Sequence, residues 1–557
     1  MIVSVLYSFR HLYKRHLINE NAMGTNVIKT NESILPFFGD RMTIITGLDA
    51  LGMQNTSDAA YQLLLPGLNN VTSRMRYYSF YCWLLHQYSE RVGSTNPAVF
   101  RRFIRKAEYL TALVARFDTG DTSRISGSDY ASKKMQGDLS DIDLNEGIYN
   151  PDMSTEKTYW KFPSGIFGQY YLGSLRDIGL ITEREEKAGI YIRTESKSSA
   201  YIDGIRMTDA FEENLKPAEK ELFFRCLEKD QVAKSELQQM LPGFSLANIP
   251  EQSREQKLLT VMLVQKDKPR SASEDVPSFR KETIKFLLRF LAEHSGSFND
   301  RTFIYHCFEN KGLYKDTPTS VLTGWYFYQF NEYWQIGCAA ILNGVLHYIK
   351  ERYDPASVFI DELTIEIAEY VTERVAQQGQ NRTDITLKDI LTAHDAKIFE
   401  CFNQIKPAKG LDKVHAGCRL LLALYKGHSR QLDSLGNFGE KHGIIRNGAG
   451  IRYFTEDFRL RKSLRFTDYL SDFLLRWILL RHQFVAYRKM GSGMQSTQKF
   501  ILEDHRVRYL AGMEESYTGP RIANLIQFMK DLKLIDDVHV LTESGHELLE
   551  ELWYEVD

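Results

Sequence analysis

The run TPTSVLTGWYFYQFNEYWQIGCAAILNGVLHYIKERYD, residues 317–354, constrains the fold more than any other part of the chain. Trp325, Tyr326, Tyr328, Phe330, Tyr333 and Trp334 lead into Ile336, Ala339, Ile341 and Val345 at helical spacing. Exposed aromatics of this kind stack nucleic-acid bases, but the apolar spacing that follows predicts a core helix, or a pair of helices. A chain organised around such a segment is expected to be mainly α. The 557 residues correspond to three or four domains at roughly 100–200 residues each, every one able to bury a core of its own.

Composition narrows the class. A hydrophobic fraction of 43%, a charged fraction of 25% and only 14 Pro exclude disordered and fibrous chains. Cys82, Cys226, Cys307, Cys338, Cys401 and Cys418 contain no CxxC pair and lie mostly in apolar helical stretches. They read as reduced thiols of a cytoplasmic protein. No apolar run approaches the roughly 18–20 residues of a membrane span, so no membrane partner is expected. The opening MIVSVLYSFRHLYKRHLINENA has no small-residue cleavage site, so a secretory signal is not expected, and translation starts at Met1 or at Met23.

Five segments follow from changes in pattern. Residues 1–118 form an N-terminal helical domain broken at Pro66-Gly67, with Thr72 or Ser73 as a helix cap. Residues 119–216 hold a long loop, then a helix, a hairpin and a helix opening at Thr208-Asp209, the order of a winged-helix-like unit. Residues 217–400 are a middle helical domain, and residues 401–512 a basic helical domain. Residues 513–557 repeat the winged-helix-like order, with Thr542 capping the last helix. The expected fold is therefore a mainly α, multi-domain protein with two winged-helix-like units.

The formal charge is −2, but it is unevenly spread. Residues 441–512 hold fourteen Lys or Arg against six Asp or Glu, or +8, which leaves −10 for the remainder. A local excess of Arg is what a phosphate-facing surface requires. Candidate nucleic-acid contacts are Arg446, Arg452, Arg459, Arg461, Lys462, Arg465, Arg481, Arg488, Lys489, Arg506 and Arg508, with Arg521 beyond them. The other reading is a basic helix face paired with acidic surface elsewhere. Two Gly-containing loops, EKHGIIRNGAGIR and KMGSGMQSTQK, lack P-loop spacing.

Signals for chemistry are sparse. Cys401, His415, Cys418 and His428 depart from zinc-ligand spacing, and Asp361, Glu362 and Glu366 read as a solvated helix face. No metal and no cofactor is expected. In RWILLRH, Arg476 precedes His482 by six positions, the order in which helical ribonucleases pair an acid-base His with an Arg. EDHRVRYL is expected to buttress the C-terminal unit or to contact phosphate. No other catalytic motif is present.

Leu51-Gly52, Asp58-Ala59, Pro66-Gly67, Arg74, Arg76, Tyr77, Tyr78 and Trp83 occur in an order that resembles the N-terminal pattern of bacterial proteins encoded in phage-defence islands. The match covers under a tenth of the chain. The resemblance implies a cytosolic protein acting beside other subunits against invading DNA, and it supplies no catalytic residue. One of Arg74 and Arg76 is expected to pair with a local carboxylate such as Asp58. The resulting expectation is a non-catalytic nucleic-acid-binding or scaffolding subunit of an antiviral or anti-plasmid system, with DNA and protein subunits as partners. The alternatives are a ribonuclease-type toxin using Arg476 and His482, and a protein-protein adaptor.

Overall fold

The aromatic run forms one uninterrupted helix, Ser320–Arg352, about 50 Å long at 1.5 Å per residue. The computed structural model describes residues 43–44, 49–69, 71–118, 125–137, 141–149, 158–185, 187–196, 201–265, 278–294, 298–299, 301–376, 384–444, 451–490, 495–519 and 521–554. Among these the chain is mainly helical, with only short strands. Nearly every side chain from Val321 to Leu346 is buried, Trp325, Phe327, Phe330 and Trp334 completely. A helix apolar all round has to be enclosed by others.

Its closest neighbour is the helix Gly410–His428, which runs antiparallel to it: Gly344 meets Gly410 and Val414, Gly337 meets Leu421, and the Tyr326 hydroxyl reaches His428 Nδ1 at 2.6 Å. A Cβ on Gly417 would stand 2.7 Å from the Gly337 carbonyl oxygen, and one on Gly344 2.6 Å from that of Gly410. Glycine at these positions lets the two backbones touch. Any side chain there would wedge them apart.

Helices Gln54–Leu64 and Arg76–Arg91 flank the expected break at Pro66-Gly67. Thr72 and Ser73 do not cap the second helix. Asn69 accepts the Val71 and Thr72 amides at 2.8 Å each and so closes a local turn. The helix start is instead met by Asp531, whose carboxylate accepts the Met75 amide at 2.9 Å and Arg74 Nη1 at 2.7 Å. Arg76 donates to the Ser245 and Asn248 carbonyls at 2.6 and 2.9 Å and to Glu255 at 3.2 Å. Asp58 takes neither Arg; it accepts the Tyr61 hydroxyl at 2.7 Å. Both arginines of the N-terminal motif are thus buried ties between distant segments.

The stretch expected to be a loop after residue 118 contains a helix, Ser128–Met135, and a strand, Asp141–Asp143, paired antiparallel with Gln231–Ala233. Beyond it, helix Leu172–Ile178, strands Ile181–Glu183 and Tyr191–Arg193, and helix Gly204–Glu212 follow in the predicted order. The last begins at Asp203, which accepts the Arg206 amide at 2.9 Å, rather than at Thr208. At the C-terminus, helices Ile522–Asp531 and Glu543–Tyr554 flank a single bridge, Ile535 to Leu541, and Thr542 accepts the Gly545 amide at 3.2 Å as the expected cap. Helix Ile522–Asp531 has no exposed residue, and the turn after it carries exposed Asp536 and Asp537. It has no face to offer a nucleic-acid groove.

One hydrophobic cluster runs from Leu51 to Leu552 through all five sequence segments. The boundaries near 118, 216, 400 and 512 mark changes of sequence character, and this cluster crosses each of them. All six cysteines are buried and free, and no helix of the described residues is long and apolar enough to cross a membrane.

Candidate nucleic-acid interface

The basic region folds as helices Ile451–Leu460 and Phe466–Phe473, a π-helical stretch Leu474–Leu480 and helix Arg481–Lys489. Five of its arginines, Arg452, Arg459, Arg461, Arg465 and Arg476, face carboxylates. Arg452 reaches Glu440 at 2.5 Å and Glu456 at 3.3 Å, and Arg459 lies 3.5 Å from Asp433. Arg461 binds Asp472 and stands 3.5 Å from Asp457, while Arg465 grips Asp468 with two bonds of 2.6 and 3.0 Å. Glu440 and Asp433 lie just outside the region counted as +8, so its excess is partly neutralised by residues that precede it. Arg446 lies outside the described residues.

Other candidates are held by the backbone. Arg481 donates to the Leu51 carbonyl at 2.6 Å, and burial lowers its pKa. Arg521 binds the Leu68 carbonyl and lies over the Tyr61 ring, 4.2 Å from its centroid. Lys489 donates to the Asp49 carbonyl at 2.6 Å. Lys462 sits over the Tyr425 ring at 5.3 Å.

Arg476 and His482 do not form a catalytic pair. Arg476 is held by Asp472 at 2.7 Å and Asp457 at 3.1 Å. His482 is 1% exposed, with Nδ1 3.0 Å from the Ala50 carbonyl and Nε2 accepting the Lys499 amide at 3.0 Å. These bonds fix a neutral imidazole protonated on Nδ1, and burial pushes its pKa down to about 4. Neither nitrogen is left to move a substrate proton. EDHRVRYL forms a β-hairpin in which Asp504 and His505 take φ of 48° and 60°, the two left-handed residues of a tight type I′ turn.

Two adjoining places keep exposed cations. On helix Arg481–Lys489, Phe484, Tyr487 and Arg488 follow at i, i+3 and i+4 and share one face, with Phe484 49% and Tyr487 66% exposed. Arg488 is exposed and lies over the Phe484 ring at 5.6 Å, with no ion pair among the described residues. The same helix docks on strand Phe500–Glu503, through Gln483 Nε2 to the Phe500 carbonyl at 2.9 Å. That strand pairs with Arg506–Tyr509, which pairs in turn with Val358–Phe359. Register puts Ile501 and Arg508 opposite each other, and Glu503, Arg506 and Phe359 in one row beside them. Phe500, Val507 and Val358 are buried beneath, so this row faces outward. Arg506 donates to Ser357 Oγ at 3.0 Å and covers the Phe359 ring at 4.0 Å, while Arg508 is exposed.

Cations beside exposed aromatic faces bind phosphate and stack on bases. Phe484, Tyr487 and Phe359 were not among the sequence candidates. The signal was present in HQFVAYRK, where Phe484 and Tyr487 fall at i and i+3, off the positions of buried His482, Val485 and Ala486.

The remaining candidates do not assemble a reaction centre. His428 is bonded to Tyr326, and Glu366 accepts the Tyr353 hydroxyl at 2.7 Å and pairs with Arg352 at 3.0 Å. Asp361 lines an open cleft of about 310 Å³ with Glu369, Asp468 and Asp472. Among the described residues no group of three His, Cys, Asp or Glu stands together to hold a metal. Compared with protein-family models, with curated proteins and with solved structures, the chain has no significant match.

Proposed function

We propose that this chain is a non-catalytic, nucleic-acid-binding subunit of a bacterial antiviral or anti-plasmid system, which contacts its ligand through helix Arg481–Lys489 and the outer face of the three-stranded sheet. One observation carries the reading: exposed Arg488 shares a helix face with exposed Phe484 and Tyr487, and exposed Arg508 shares the outer face of the adjoining sheet with Phe359, whereas Arg452, Arg459, Arg461 and Arg465 face carboxylates. Its setting among defence subunits rests on the resemblance at residues 51–83. The test is filter binding of DNA and RNA across a salt series. Charge reversal of Arg488 and Arg508 is expected to remove retention, and reversal of Arg452 and Arg465 to leave it. No retention of any nucleic acid at low salt overturns the proposal.

A further inference from the structure

Resting on that reading, we infer that the ligand is a single strand, whose bases stack on Phe484 and Tyr487 while Arg488 and Arg508 meet its phosphates. A duplex presents base edges in grooves, and a protein reads them with a helix or ribbon that projects polar side chains. Helix Ile522–Asp531 has no exposed residue. Helix Leu172–Ile178 exposes Gly173, Arg176 and Asp177, a mixed and nearly neutral set. Helix Arg481–Lys489 projects two flat rings, which match the π-face of any base. Leu480, 38% exposed one turn earlier, extends the apolar side of the same surface. Cation supply points the same way, because duplex affinity grows with the number of phosphates neutralised and few cations here are free of partners. Stacking then has to provide what charge does not.

The inference is tested by fluorescence anisotropy on the full chain at low salt, with labelled oligothymidine and oligouridine of equal length and the matching DNA duplex. Both single strands are expected to bind at least about tenfold more tightly than the duplex, and their ratio tells DNA from RNA. Phe484→Ala and Tyr487→Ala are each expected to weaken single-strand binding about tenfold and to leave the duplex unchanged, whereas Phe484→Tyr and Tyr487→Phe retain affinity. Tyr487→Trp supplies an independent signal, because a base stacked on the indole quenches its fluorescence. Duplex binding as tight as single-strand binding, or no quenching and no effect of the alanine variants while Arg488→Glu abolishes binding, overturns the single-strand inference and leaves the nucleic-acid reading standing. No binding to any of the three probes removes both.

Discussion

His482 is caught between a carbonyl and an amide of the backbone, and its substitution is expected to act on stability alone. His482→Ala strands the Lys499 amide and the Ala50 carbonyl in a buried site, at a cost of roughly 1–3 kcal/mol. Chemical denaturation is expected to show that loss, while wild type and variant leave RNA equally intact. Because burial holds the folded pKa at about 4, below the ordinary 6.5, the unfolded chain takes up this proton first. The contribution is complete above pH 6.5 and is lost as pH falls towards 4. Glu332, wholly buried in the central helix, has the opposite sign. Burial raises its pKa from 4.5 to about 7, although the Thr518 amide donates to it at 2.9 Å. The folded state therefore holds this proton between pH 4.5 and 7, and stability falls as pH rises through that window. Glu332→Gln keeps the acceptor without the charge. Its melting temperature is expected to match wild type at pH 4.5 and to exceed it above pH 7, by a shift equivalent to about 3 kcal/mol at ~1.4 kcal/mol per pKa unit. Equal melting curves at pH 8 would refute this account. The Arg74–Asp531 pair separates buried from surface charge: Asp531→Ala leaves a guanidinium buried without its carboxylate and is expected to cost about 3–5 kcal/mol in urea unfolding. Asp468→Ala, which breaks a half-exposed pair with Arg465, is expected to leave the urea midpoint nearly unchanged.

Among the elements, the central helix and Gly410–His428 depend on small residues where they cross. Gly417→Val sets branched carbon against the Gly337 carbonyl and Ile341, and the overpacking is expected to cost about 1–3 kcal/mol or more in the same unfolding assay. The periodicity of the aromatic run foretold a buried helix, because a helix apolar on every side has no other stable setting. It did not choose between one helix and two, since no Gly or Pro marks a break and the glycines that do occur serve a neighbour. A similar limit applies at residues 511–519, which run extended along the central helix. Tyr328, Gln335 and Asn343 of that helix bind the Thr518 carbonyl at 2.8 Å, the Ser516 carbonyl at 2.8 Å and Glu515 at 2.7 Å. Lys413 adds a bond to Glu515 at 2.6 Å. Polar side chains on an otherwise apolar helix are thus accounted for by a segment about 180 positions away. The C-terminal helices were legible from their spacing and from Thr542, yet the burial of most of Ile522–Asp531, Asn524 and Gln527 included, was not, because spacing reports an apolar face and says nothing of what covers the polar one.

For the whole molecule, the division of charge into +8 and −10 overstates the basic surface, since Glu440 and Asp433 reach into the region from outside it. If three or four phosphates are neutralised, log affinity for a single strand is expected to fall against log salt with a slope of about −2 to −3. A slope near −8 in the anisotropy series would mean that the whole basic region takes part and would contradict the pairing described above. Residue order alone settled what local physics governs: helical periodicity, the break at Pro66-Gly67, the Thr542 cap, reduced buried cysteines and a cluster of Arg late in the chain. Each depends on groups within a few positions of one another. Which cations are free was decided only by the folded chain. Arg74 finds Asp531, Arg76 finds Glu255, Arg481 finds Leu51, and Arg488 finds no carboxylate among the described residues, because electrostatic energy follows distance in space. Nothing in the order of residues records which distant segments will lie against each other.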